Sequence, residues 1–92
     1  MNQAAFTAIV HGIVQGVGFR YFTLRKGKEY ELTGYVRNLP DGTVETYAEG
    51  NREVLEQFLS DLRRGPAGSV VDRVTVEWTV ETKNYSTFSI TF

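Results

Sequence analysis

The chain has 92 residues, ten Lys and Arg against eleven Asp and Glu, a formal net charge of −1 and no cysteine. That length suits one domain, expected to span residues 1–92. The missing cysteines exclude disulfides, thiolate nucleophiles and zinc–thiolate or iron–sulfur centres. The charge balance argues against a nucleic-acid partner, which needs a surplus of Lys and Arg to meet backbone phosphates. The opening residues MNQAAFTAIV carry no basic region of a secretory signal, and no apolar run nears the ~20 residues that span a bilayer. No membrane role is expected, and the expected location is cytoplasmic.

The first element in chain order is a strand over Phe6–Val14, with Phe6, Ala8, Val10 and Val14 on one face. A loop, Gln15-Gly16-Val17-Gly18-Phe19, leads to a helix over about Tyr21–Leu32, anchored by Phe22, Leu24 and Tyr30. Gly34 breaks it. Tyr35–Leu39 and Thr43–Ala48 read as a hairpin closed by Pro40-Asp41-Gly42. Asn51 is a helix N-cap, with Glu53 in the first turn. Val54, Leu55, Phe58, Leu59 and Leu62 form one apolar stripe. Arg63 and Arg64 suit the helix end, and Gly65-Pro66 stops it. Val74, Val76, Trp78 and Val80 alternate with polar residues as a strand, and Phe88–Phe92 suggests a short final one. The order β-α-β-β-α-β with an added strand predicts an α+β, ferredoxin-like two-layer sandwich: an antiparallel sheet with both helices on one face. In that topology the first and second strands run parallel without being neighbours, so the loop after strand one and the end of strand two emerge at the same edge. The last strand is expected at a sheet edge, with some aggregation risk.

The loop after strand one carries most of the chemical information. Its glycines let backbone approach a ligand closely and permit positive φ. It runs into a helix N-terminus, where unpaired N–H groups and the helix dipole favour an anion. Successive N–H groups from Gln15, Gly16, Val17, Gly18 and Phe19 can form a concave nest for phosphate oxygens. Arg20 adds a planar cationic fork that matches a phosphoryl group. The loop is neither a Walker A nor a G-x-G-x-x-G fingerprint, and taken alone it reads equally as a structural turn. Asn38, at the end of strand two near the loop, can donate and accept at once and so orient a water. Taken alone, it reads as the start of the hairpin turn.

Together the two segments resemble the acylphosphatase family. Gly12-Ile13-Val14-Gln15-Gly16-Val17-Gly18-Phe19-Arg20 is similar to the family's first signature at every position. Gly34-Tyr35-Val36-Arg37-Asn38, followed by Gly42-Thr43-Val44 and Gly50, is similar to its second. The resemblance covers essentially the whole chain. It implies a five-stranded ferredoxin-like fold and a metal-independent, cofactor-free hydrolase. The backbone of residues 15–19 and Arg20 would hold the phosphoryl group, and Asn38 would position the attacking water. The implied substrate is a small-molecule acyl phosphate, with inorganic phosphate as product and inhibitor, and the protein is expected to be a monomer. The chain departs from the pattern at Gly27, where Ala is usual, and at Tyr30-Glu31-Leu32, where Leu-Gly-Leu is common. A helix-interior Gly costs about 0.5–1 kcal/mol relative to Ala, and Glu31 replaces a helix-stopping glycine.

The chemistry suits this set of groups. The leaving carboxylate belongs to an acid of pKa about 4 and needs no general acid. Phosphoryl transfer is then mostly positioning and charge stabilisation. The single histidine, His11, reads as a face residue of the sheet and not as a base. Glu45, Glu49, Glu77 and Glu81 read as a solvated face, and no His/Asp/Glu cluster suggests a metal. Direct attack by water, without a covalent enzyme intermediate, follows. The alternative is a non-catalytic phosphate- or nucleic-acid-binding ferredoxin-like module. RNA-binding domains share this order, but Thr43–Glu49 offers one aromatic and two acids. A third reading is a regulatory acyl-phosphate domain of the kind fused to larger maturation enzymes.

Overall fold

The computed structural model describes residues 3–92. It has strands β1 (Gln3–Ile13), β2 (Thr33–Asn38), β3 (Val44–Asn51), β4 (Val70–Thr79) and β5 (Phe88–Ile90), and helices α1 (Phe19–Glu29) and α2 (Arg52–Arg64). The sheet order is β4-β1-β3-β2-β5. β1 pairs antiparallel with β3 and β4, and β2 antiparallel with β3. β5 pairs parallel with β2, so the sheet is mixed where the sequence suggested antiparallel pairing throughout. The change of direction arises because the 80–87 connection crosses the sheet before β5 begins.

The expected apolar face forms the core. Phe6, Ala8, Val10 and Val14 of the first strand segment are buried, as are Val36, Val44 and Ala48 on the strands beside it and Leu55, Phe58, Leu59 and Leu62 of α2. Phe58 is the hub. Its ring stacks on Phe6 at 6.1 Å and meets Phe88 edge-on at 5.8 Å and Tyr30 edge-on at 6.3 Å. Asn51 caps α2, accepting from the N–H groups of Glu53 and Val54.

Several boundaries differ from the sequence reading. β1 begins at Gln3, because Ala4 and Ala5 pair with Gly50 and Glu49 despite their weak strand preference. β4 begins at Val70, since a bulge between His11 and Gly12 lets Ile13 and Gly12 continue the ladder. It stops at Thr79, so Val80 lies outside the strand and exposed. α1 starts at Phe19, two residues early, because Gly18 takes the left-handed conformation (φ 79°) as its N-cap. It ends at Glu29, in a turn where Leu32 N–H donates to Gly27 C=O at 2.9 Å and Glu31 N–H to Lys28 C=O at 3.1 Å. That is the Schellman pattern, with Glu31 at the left-handed position (φ 57°).

Glu49 corrects the solvated-face reading. It is buried. Its carboxylate accepts from Thr33 Oγ1 at 3.1 Å, from the Tyr47 hydroxyl at 2.7 Å and from the backbone N–H groups of Lys83, Asn84 and Tyr85. Glu45 is half-buried and paired with Arg37. The alternation was read correctly, but this side of the sheet is roofed by the 80–87 connection, and Glu49 anchors that roof.

Candidate active site

The site is assembled where β1 and β2 end at one edge. The register Val10–Val44–Asn38 across β1, β3 and β2 sets the two strand ends level. The parallel β1 and β2 therefore deliver the loop and Asn38 to the same side of the molecule.

Gly16 (φ 76°) and Gly18 (φ 79°) both sit in the left-handed region, and a Cβ on either would meet open space. Glycine is used here for backbone shape, since packing would tolerate a methyl group. Gly18 supplies no side-chain cap to α1. Among the described residues, no backbone N–H from Gln15 to Phe19 donates to a protein acceptor. A run of unpaired N–H groups at a helix start has the electrostatics of an anion cradle. No acidic residue lies in the first turn of α1 to oppose that field.

The two segments are tied together in two ways. The Gln15 side-chain amide donates to the carbonyls of Leu39 and Thr43, each at 2.8 Å. Gln15 was expected to serve through its backbone alone, and its side chain additionally clamps the loop to the hairpin turn. That turn is set by Asp41, whose carboxylate accepts from the Thr43 N–H at 3.0 Å and hydroxyl at 2.6 Å. The second tie runs through Phe92. Thr91 N–H donates to Val36 C=O at 2.9 Å, one residue past the last β2–β5 pair, Val36 with Ile90. The Arg20 guanidinium lies 5.6 Å from the centre of the Phe92 ring. Arg20 makes no ion pair among the described residues. Asn38 Oδ1 is buried without a hydrogen-bond partner in the protein, a state that costs about 1–3 kcal/mol and is uncommon.

The acylphosphatase family model matches residues 6–90. The chain belongs to the acylphosphatase family. It is 47% identical over 83 residues to the acylphosphatase of Thermotoga petrophila, covering 90% of this chain and 91% of that one. It is also 47% identical over 87 residues to that of Bacillus licheniformis, covering 95% and 97%. The crystal structure of the Bacillus subtilis acylphosphatase superposes with a TM-score of 0.95 at 36% identity, covering 97% of this chain and 99% of that one.

Family membership makes the chain an enzyme that hydrolyses acyl phosphates. A cleft, of about 500 Å³, lies at the other end of the sheet among Tyr30, Glu31, Thr33, Gly50 and Asn84 and includes none of the expected site residues. A second one, of about 310 Å³, is lined by Tyr35, Arg37, Tyr85, Thr91 and Phe92 and likewise includes none of them. Burial, together with donation to Glu45, pushes the Tyr35 hydroxyl up to about 12, so it stays protonated. Glu45 also takes the Arg37 side chain at 2.7 Å. Among the described residues no group of three or more His, Cys, Asp or Glu could hold a metal ion, and no helix is long and apolar enough to cross a membrane.

Proposed function

We propose that this acylphosphatase holds the phosphoryl group of its substrate between Arg20 and the N–H groups of Gln15, Gly16, Val17, Gly18 and Phe19, and that Asn38 orients the attacking water. The observation that carries this is the buried, unpaired Oδ1 of Asn38 at the strand end that faces the loop. A water donating one proton to that oxygen is fixed in place, with a lone pair left for phosphorus. Attack forms the new P–O bond, and the bond to the acyl oxygen breaks with its electron pair on the departing carboxylate. The water's proton passes to the phosphate produced. Charge spread over the equatorial oxygens is met by Arg20 and the cradle. No side chain is covalently modified, no metal takes part, and phosphate competes for the same cradle. The enzyme acts as a monomeric single domain of cytoplasmic location.

The test is hydrolysis of benzoyl phosphate in the presence of a chelator, with inorganic phosphate as inhibitor. Turnover that survives the chelator and competitive inhibition by phosphate are expected. Arg20→Lys keeps the charge but loses the planar fork, and is expected to lower kcat/KM by about 10²–10³-fold with the fold intact. Near-normal activity would remove Arg20 from the site, and a trapped phospho- or acyl-enzyme would contradict direct attack by water.

A further inference from the structure

The glycine loop has few anchors of its own. Val14 and Phe19 are buried at its two ends. Between them, among the described residues, the hydrogen bonds that residues 15–17 make to another element are the two donated by the Gln15 amide. Both go to one turn. Their acceptors, the Leu39 and Thr43 carbonyls, stand on either side of Asp41. Each also accepts a turn N–H, Leu39 from Gly42 at 3.2 Å and Thr43 from Leu39 at 2.9 Å. Asp41 sets the shape of that turn, since its Oδ1 takes both the N–H and the hydroxyl of Thr43. Thr43 is buried and Asp41 is exposed, so the carboxylate closes the turn from outside. Those two bonds, the hydroxyl's first, hold the Asp41 carboxyl below the ordinary carboxylate range. Among the described residues Asp41 itself makes no hydrogen bond or ion pair with residues 15–20. Its route to the loop runs through the turn and Gln15.

We propose that Asp41 is a positioning residue for the phosphate cradle: it fixes the turn so that the Leu39 and Thr43 carbonyls meet the Gln15 amide, and that clamp holds the loop of residues 15–19 in the shape that binds phosphate. The inference rests on the placement of the phosphoryl group at that loop. The hairpin's own needs do not explain the clamp. Its two carbonyls are already satisfied within the turn, so the Gln15 amide gives the hairpin nothing it lacks, whereas the loop has no other such anchor. Without Asp41 the turn loses two bonds, and part of the binding free energy goes into ordering the loop. The loss of one such bond corresponds to about three- to tenfold weaker phosphate binding.

The experiment measures the inhibition constant of inorganic phosphate, with kcat and KM for benzoyl phosphate, in the wild type, Asp41→Ala, Asp41→Asn, Gln15→Ala and the variant carrying both alanines. Urea melts check that each is folded. Asp41→Ala is expected to weaken phosphate binding about three- to tenfold and to raise KM alongside, with a smaller fall in kcat. Asp41→Asn keeps an oxygen for Thr43 and is expected to recover most of that loss. Gln15→Ala is expected to weaken phosphate at least as much, and adding Asp41→Ala to it to change the constant no further. A change in stability alone, or an Asp41 effect that persists in full without the Gln15 side chain, would overturn the proposal and leave Asp41 a turn residue. Arg20→Lys separates the two ideas. If that variant binds phosphate as tightly as the wild type, the phosphoryl placement fails and the role of Asp41 with it. If it weakens phosphate while Asp41→Ala does not, the role of Asp41 alone fails.

Discussion

Asn38 carries an unusual cost for its position. A strand-end asparagine before a turn ordinarily spends its side chain on that turn, yet here Asp41 does the turn's work and Asn38 Oδ1 is left buried and unpaired. Removing an unsatisfied buried acceptor relieves its desolvation penalty. Asn38→Ala is therefore expected to leave stability unchanged or raise it by about 1 kcal/mol, read from urea midpoints, while slowing turnover. A clear loss of stability would mean that Oδ1 has a structural partner. The candidate site residues were legible through the resemblance of the two segments to a known family, since the glycine-rich loop taken alone reads equally as a structural turn. The Gln15 clamp was not, since its acceptors lie 24 and 28 residues away and backbone carbonyls leave no trace in a sequence pattern. The place of Phe92 beside Arg20 was hidden for the same reason, as it depends on the parallel pairing of β5.

Helix α1 shows where local propensity misleads. Gly27 reads as a defect, yet a Cβ there would lie 2.7 Å from the Phe88 ring, which is itself buried and held edge-on by Phe58. The glycine lets β5 dock against the helix. Gly27→Ala is expected to destabilise by about 1–2 kcal/mol, because overpacking exceeds the helix-propensity gain. Stabilisation in denaturant melts would show that the ring can move aside. Glu31 is the opposite case. The sequence marked it as an unfavourable helix stop, and it indeed sits at φ 57°. Glu31→Gly is expected to raise stability by about 1 kcal/mol, and the same melts check it. The α2 stripe and its Asn51 cap were read from the sequence to within a residue, because capping and helical spacing are local. The ends of β1 and β4 were misplaced, because a bulge and cross-strand pairing decided them.

Across the whole molecule the fold order and the meeting of two strand ends followed from element sequence alone, since topology constrains what parallel strands can bring together. The roof over the open sheet face did not, because one buried carboxylate with five donors looks like any alternating acid. Burial opposes the charge on Glu49, but the hydrogen bonds from Tyr47, Tyr85, Lys83 and Asn84 outweigh it and hold its carboxyl below the ordinary range. A depressed folded-state pKa means that the unfolded chain binds the proton first. The contribution is full at neutral pH and is lost as pH falls below about 4 through the folded value. Glu49→Gln is expected to be less stable than the wild type by about 2–3 kcal/mol at pH 7, with the gap narrowing toward pH 2.5. Parallel stability profiles would contradict that. The central claim is a division of labour between a cradle that binds and an asparagine that positions water. Asn38→Ala tests it most directly, by kcat on benzoyl phosphate measured together with the inhibition constant of inorganic phosphate. The account predicts a kcat lower by about 10²–10³-fold with the phosphate constant within about threefold of wild type. Full turnover, or a phosphate constant that weakens as much as kcat falls, would contradict it.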